Sequence, residues 1–340
     1  MQKLSTSPAP DSIQVDVPVR PMRPIKGRGA ASQITHRFAR ELRQGFDDGW
    51  GKSEQDEGSE VGEEIKTWCT HLEWERAKSA LSRHESPDLP FHLGLNPYRG
   101  CEHGCIYCYA RPSHSYLGYS PGLDFETRLI AKENLPEVLR AELSRSSHVA
   151  APIMLGSVTD CYQPVEREVG LTRRVIEVLA QARHPFSIVT KGSGIERDLD
   201  LLVPLAQQHL VAVYVTLTTL QPELARQLEP RAAAPHRRLR MIRTLSEAGI
   251  PVGVSLAPQI PFLNDDMEQV LAAASEAGAR QAFYAVLRLP WEVAPLFNEW
   301  LMLHYPERAQ RVMERVRDLH GISEAGRADG KVYNSRFGQR

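Results

Sequence analysis

Nowhere in the 340 residues is there a run of apolar side chains long enough to cross a membrane, which takes about eighteen in succession. The first thirty positions also lack the apolar stretch that a signal peptide needs. Charge of one sign is missing too. With 41 lysines and arginines against 42 aspartates and glutamates, the formal net charge is -1, so polyanions feel no global attraction and any nucleic-acid contact has to rest on a local basic patch. Cysteine is sparse and odd in number, five in all, which does not build the disulfide framework of a secreted domain. Together these absences describe a soluble, cytoplasmic chain with no membrane partner. Its length suits a single α/β barrel carrying extensions.

Residues 1–65 contain STSPAPDSIQVDVPVRPMRPIKGRGAAS and show little apolar periodicity, so they read as an N-terminal arm, mostly loop or disorder. Within it a basic segment (Arg20, Arg23, Lys26, Arg28, Arg37, Arg40, Arg43) precedes an acidic one (Glu54, Asp56, Glu57, Glu60, Glu63, Glu64). These are either two solvated segments that partly neutralise each other or an arm that binds a polyanion. A lead-in occupies 66–90, and a tail follows at 321–340.

Between them, in 91–320, short β-branched runs alternate with stretches of helical period, the pattern of consecutive βα units and a parallel sheet. The strands are FHLGLNPY, PIMLGSVTD, FSIVTKGS, LVAVYVTLTT, PVGVSLAPQI and QAFYAVLRLP. The intervening helices are LPEVLRAELSR, GLTRRVIEVLAQA, DLDLLVPLAQQ, PHRRLRMIRTLSEAG and MEQVLAAASEAG. Six units predict a partial (β/α)6 TIM-like barrel, with its site at the C-terminal strand ends. One long helix, PLFNEWLMLHYPERAQRVMERVRDL, is expected to close the sheet edge, with Arg311, Arg315 and Arg317 on a solvated face.

What cysteine there is lies mostly in one place. NPYRGCEHGCIYCYARPSHSY, residues 96–116, carries Cys101, Cys105 and Cys108. A disulfide would leave one of the three unpaired. Structural zinc takes four protein ligands, and the loop supplies three thiols with His103 as a candidate fourth. An iron-sulfur cube held by three thiolates leaves one iron open for something other than protein. Cys69, flanked by Trp68 and Trp74, reads as a structural thiol, and His71, His84 and His92 have no ligand-like spacing.

The CxxxCxxC pattern after the first strand of a βα series, with an aromatic before the last cysteine, resembles the radical S-adenosylmethionine (SAM) superfamily. That resemblance implies a [4Fe-4S] cluster on Cys101, Cys105 and Cys108, with SAM chelated by the open iron. It further implies reductive cleavage of SAM to a 5'-deoxyadenosyl radical that abstracts hydrogen from substrate, the difficult chemistry residing in the cofactors. An electron donor such as flavodoxin or ferredoxin is implied as a partner.

The blocks SVTD, VTKGS, VTLTT and LEPRAAAPHRRLRMIRTLSEAGIPVGVSLAPQIPFLND, over roughly residues 91–290, follow the order of the spore photoproduct lyase-like branch. This closer resemblance implies DNA or RNA as a substrate class and assigns further residues. Tyr107 would lie near the SAM adenine, Thr159 and Asp160 would contact its amino group, and Lys191 would reach its carboxylate. Thr216 would sit near the methionine carboxylate or ribose, with Thr218 on the same face by the two-residue strand period. Ala257, Pro258 and Ile260 would border the adenine, and Arg231 would bind substrate or cap the next helix.

Where the lyase carries a hydrogen-donating cysteine, this chain has Ser157, whose O–H is too strong to give up a hydrogen atom readily. That departure argues against spore photoproduct repair and leaves Cys161 as the candidate thiol for a catalytic role, beside the alternative that it packs as a small apolar residue. KGRGAASQITHRF and YNSRFGQR resemble flanking segments of bacterial relatives that run on past the SRFG stretch, which leaves open whether Arg340 is a natural terminus. A reading from a different class keeps the cysteine loop as a non-catalytic iron-sulfur or zinc site with a structural or redox-sensing role.

Overall fold

The computed structural model describes residues 23–39, 68–83 and 91–321. Arg20, Arg40, Arg43, the acidic segment, His84 and the tail after residue 321 lie outside the described residues. In chain order the elements open with β1 (His71–Glu75), β2 (Leu81–Arg83), β3 (Leu93–Leu95) and β4 (Tyr98–Arg99). After the cysteine loop come α1 (Leu123–Thr127), β5 (Arg128–Lys132), α2 (Leu135–Leu143), β6 (Ile153–Leu155), α3 (Glu166–Val169) and α4 (Leu171–Gln181). The series continues with β7 (Phe186–Thr190), α5 (Leu199–Gln207), β8 (Val211–Thr216), α6 (Pro222–Leu228) and α7 (Pro235–Glu247). It ends with β9 (Val252–Gln259), α8 (Met267–Glu276), β10 (Gln281–Val286), α9 (Val293–His304) and α10 (Pro306–Leu319).

The main sheet runs β10-β9-β8-β7-β6-β3-β2, with β2 antiparallel on its edge and the other six strands parallel. Those six are the strands expected from the alternation, and the architecture is the predicted partial barrel, open between β2 and β10 among the described residues. Two-residue periodicity divides each strand between two jobs. Ile188 of β7 and Val213 and Val215 of β8 face outward and are fully buried under helices. Ser187 and Val189, Tyr214 and Thr216, and Ser255 of β9 face inward and line a cavity.

On the outer layer α4 shows why a helix forms there. Leu171, Val175, Ile176, Val178 and Leu179 recur at helical spacing and are all buried against the sheet, each contributing about 1.5–3 kcal/mol on burial.

Three features depart from the sequence expectation. The first predicted strand, FHLGLNPY, is divided: Leu93–Leu95 joins the barrel, while Tyr98–Arg99 pairs with β5 in a separate sheet ordered β1-β5-β4. The single closing helix is two helices, because Pro306 has no N–H to continue the ladder and pushes the residue before it out of helical conformation; Tyr305 has φ -144 and ψ 55. Cys69 is exposed rather than packed as a structural thiol.

Residues 23–39 contain no helix or strand. Yet several of their side chains and amides are buried against the barrel, including Arg28 and Ala30.

Candidate active site

The cysteine loop leaves the end of β4 and passes over the C-terminal ends of the barrel strands. Below it lies a cavity of about 950 Å³. All three thiols, Cys101, Cys105 and Cys108, line that cavity, as do Tyr107, Thr159, Asp160, Lys191 and Thr216. These eight therefore meet on one wall, whereas Cys161 is completely buried in the core behind Gly156 and does not reach the cavity.

Burial raises the Cys101 thiol well above its ordinary range and pushes the Cys105 thiol up to about 12. Thiolates at these positions need a bound cation to hold their charge. Among the described residues no three His, Cys, Asp or Glu side chains converge as ligands of a single ion would. His103 does not join the three thiols in such a group, and its Nδ1 lies 3.2 Å from Asp160 Oδ2.

The remaining polar groups fall into those that hold the wall and those that face the space. Asp160 holds the wall. Its carboxylate accepts from Tyr162 N (2.9 Å), Thr190 Oγ1 (2.7 Å) and Lys191 N (2.7 Å) as well as meeting His103. Burial works against its charge, but His103 and these donors outweigh burial and keep the carboxyl well below the usual carboxylate range. Thr159 donates to Gly100 O (2.6 Å) and accepts from Gln163 Nε2 (3.1 Å), tying the β6 loop to the root of the cysteine loop. Asn96 completes that tie by accepting from Val158 N at 2.8 Å.

Lys191 and Thr216 face the space. The Lys191 ammonium lies 5.8 Å from the centre of the Tyr107 ring and has no hydrogen-bonded acceptor among the described residues. Burial works to lower its pKa, and the neighbouring Cys105 and Glu229 raise it above its ordinary value on balance. Thr216 Oγ1, together with the Ser255 hydroxyl beside it on the cavity wall, likewise lacks a protein partner among the described residues.

One buried network behind this wall was not foreseen. Tyr107 donates its hydroxyl to Glu229, which also accepts from Thr218 Oγ1 (3.2 Å) and pairs with the Arg238 guanidinium. Arg238 in turn donates to Thr216 O at 3.0 Å. Thr218 therefore belongs to the support and not to the cavity face. Arg231 makes contacts of another kind: its backbone N–H donates to His103 O (3.3 Å) and its guanidinium pairs with Glu102 (3.0 Å), clamping the cysteine loop from the α6–α7 connection. Ala257 and Pro258, joined by a cis peptide, line the cavity, whereas Ile260 is buried away from it. Glu229 and Arg238 were present in the quoted LEPRAAAPHRR block, but a charge in such a block reads as solvated until tertiary packing encloses it.

An open parallel barrel with a thiol-bearing loop over its strand ends, and polar groups facing a cavity beneath, defines a class of cofactor-dependent α/β barrel. Residues 95–274 match the family profile of the Radical SAM superfamily, and the chain belongs to it. Membership implies a [4Fe-4S] cluster and SAM. An uncharacterised protein of Mycobacterium tuberculosis is 39% identical over 244 residues, covering 71% of this chain and 72% of the relative. An uncharacterised protein of Methanocaldococcus jannaschii is 29% identical over 249 residues, covering 73% of this chain and 89% of its own. At the level of fold, a variant of spore photoproduct lyase with bound AdoMet and dinucleoside spore photoproduct superposes with a TM-score of 0.50 and 14% identity. That match covers 69% of this chain and 66% of the lyase, just under two thirds of its length. No helix among the described residues is long and apolar enough to cross a membrane.

Proposed function

We propose that the chain is a radical SAM enzyme in which Cys101, Cys105 and Cys108 hold the [4Fe-4S] cluster and the strand ends beside them hold SAM. The observation that carries this reading is the lining of one cavity by three thiols, two buried and that of Cys108 partly so, together with an ammonium that has no hydrogen-bonded acceptor among the described residues. The cofactors, when bound, supply reductive cleavage of a sulfonium bond and hydrogen abstraction by the resulting carbon radical, with the electron delivered by a carrier such as flavodoxin or ferredoxin.

The protein's own part is binding and exclusion. Lys191 suits the methionine carboxylate, since a charge-assisted hydrogen bond in a desolvated site is among the stronger ones available. Thr216, with its free hydroxyl on the same wall, suits the carboxylate or ribose. Tyr107 presents its ring to the cavity while Glu229 fixes its hydroxyl, leaving an apolar face for the adenine. Asp160 and Thr159 would stand on the side of the SAM amino group, and they act chiefly by holding Lys191 and the loop in register. Cys161, sealed in the core, packs as a small apolar residue.

DNA or RNA as the substrate class is supported by the lining of the cavity's open side. Phe283 and Tyr284 stand exposed on β10, and Arg288 and Arg317 line the same space, a combination of stacking faces and cations that suits a nucleic-acid strand.

Anaerobic reconstitution with iron and sulfide, followed by reductant and SAM, tests the chemistry. Release of 5'-deoxyadenosine that disappears in Cys105→Ala is expected. A protein that takes up zinc and never cleaves SAM would instead fit a structural or redox-sensing loop and overturn the proposal. Binding to DNA and RNA oligonucleotides, measured across a salt series with and without residues 1–65, tests the substrate class, because phosphate contacts weaken steeply with salt. Binding that is absent from both forms would exclude nucleic acid.

A further inference from the structure

The segment Arg28–Ile34 lies outside the 95–274 family match, yet it runs against the backbone of the cysteine loop on the side away from the cavity. None of residues 23–39 lines the cavity. Gly29 is pressed onto the loop so closely that a Cβ there would fall 1.8 Å from Gly104 O and 3.3 Å from Ile106 N. No residue but glycine fits at that distance without moving the backbone. Ala30 is buried in the same apolar cluster as Cys105 and Ile106.

A fully buried carboxylate joins the two segments. Glu126 accepts from Gly29 N (3.0 Å) and Ala30 N (2.9 Å), and it pairs with Arg111, itself wholly buried. The same guanidinium donates to Cys105 O (3.0 Å) and Gly104 O (3.2 Å). From the segment's side, Arg28 donates to Glu126 O (2.9 Å) and to Trp68 O, and also meets Thr70 Oγ1 (3.3 Å). Thr70 donates to Glu102 in the cysteine loop at 2.7 Å. The far end is fastened as well: Ser32 bonds to Glu299 at 2.6 Å, and the Arg37 guanidinium pairs with Glu292 at 2.8 Å.

We infer that residues 28–34 are a strap that forms the outer wall of the cluster site, holding residues 101–106 closed against solvent and thereby setting how readily the thiolates release what they bind. The inference rests on the iron-sulfur reading for its ligand. Gly29, Arg28 and Glu126 are positioning residues in this scheme, acting through the backbone that carries Cys101 and Cys105. A basic stretch that reads in sequence as a solvated or polyanion-binding arm is, in this scheme, part of the site.

The test compares full-length wild type with Gly29→Ala and Arg28→Lys, and with Gly194→Ala as a control in which the added methyl meets only ordinary contacts, at 3.4 Å or more. Each protein is reconstituted anaerobically, and iron loss to a chelator is followed without oxygen. Hydrogen exchange is measured on the metal-free forms. Gly29→Ala is expected to release iron on the order of tenfold faster and to speed amide exchange in residues 101–106 by a similar factor, from two buried hydrogen bonds weakened together. Exchange in α4 and the control's behaviour should stay at the wild-type level, and Arg28→Lys, which keeps the charge and adds no bulk, should fall between.

Iron release and loop exchange at wild-type rates in a folded Gly29→Ala would overturn the strap. If that variant does not fold, wild-type rates in Arg28→Lys overturn it instead. A wild type that takes up no iron overturns the cluster reading and the strap's ligand with it, whereas uptake with unchanged variant kinetics refutes the strap alone.

Discussion

Replacing Glu229 with glutamine tests the buried network behind the cavity. Glu229 and Arg238 pair with side chains 0% and 1% exposed, and Tyr107 and Thr218 donate to the same carboxylate. Removing one partner of a buried pair leaves the other charge uncompensated, at a cost of about 3–5 kcal/mol. Glutamine keeps a carbonyl oxygen for Tyr107 or Thr218, so the lower end, about 3 kcal/mol, is expected. At roughly 2–4 °C per kcal/mol for a domain of this size, melting of the metal-free protein should fall by about 6–12 °C.

The sign with pH follows from the carboxyl's environment. Burial works to raise Glu229, and Arg238, Lys191 and the Tyr107 hydroxyl outweigh it, leaving its pKa below the ordinary value. A depressed carboxyl contributes stability that is complete above its unfolded pKa, about 4.3, and is lost as pH falls through the folded one. The gap between wild type and Glu229→Gln should therefore be constant near neutrality and narrow in acid. Scanning calorimetry over a pH series measures both. The double variant Glu229→Leu with Arg238→Met, which removes both charges, should recover most of the loss. A single variant melting within about 1 °C of wild type, or a gap that widens in acid, would refute the reasoning.

Lys191→Met should leave cluster content unchanged while weakening SAM binding by roughly 10–100-fold, the worth of one charge-assisted hydrogen bond; equilibrium dialysis on the reconstituted protein measures it, and unaltered affinity would remove Lys191 from the site. Cys161→Ala should retain SAM cleavage at wild-type rate while losing about 1 kcal/mol of stability from the small void, and abolished product formation with intact folding would return this thiol to the chemistry. Gly156→Ala should destabilise by at least about 1–2 kcal/mol, because its φ is 88° and the new methyl would lie 2.9 Å from Val189 O; chemical denaturation reads this directly.

Much of the fold was legible because parallel strands and their helices carry strong local signals. Five of the six strand runs and the five helices between them fall where the alternation put them, the first strand being divided between two sheets, and even the break at Pro306 had a local cause that a periodicity reading passes over. The cysteine spacing carried the family. Less legible was the division among polar residues. Thr159, Asp160, Lys191 and Thr216 look alike in sequence, each a polar residue at a strand end, yet the first two spend their hydrogen bonds inside the wall while the last two face the cavity. Arg231 reads as a substrate ligand or a helix cap, and its pairing with Glu102 is visible only in the fold.

The sequence by itself determined the family and the βα order, since cysteine spacing within eight residues and hydrophobic period are properties of neighbours along the chain. Tertiary structure alone decided which charges are enclosed and which segments share a wall. Arg28 and Glu126 are 98 positions apart, and Tyr107 and Glu229 are 122 apart; no local pattern encodes their meeting. For that reason a proline-rich, basic segment at the N-terminus reads in sequence as a solvated or polyanion-binding arm, and folding lays part of it against the loop that carries the cysteines.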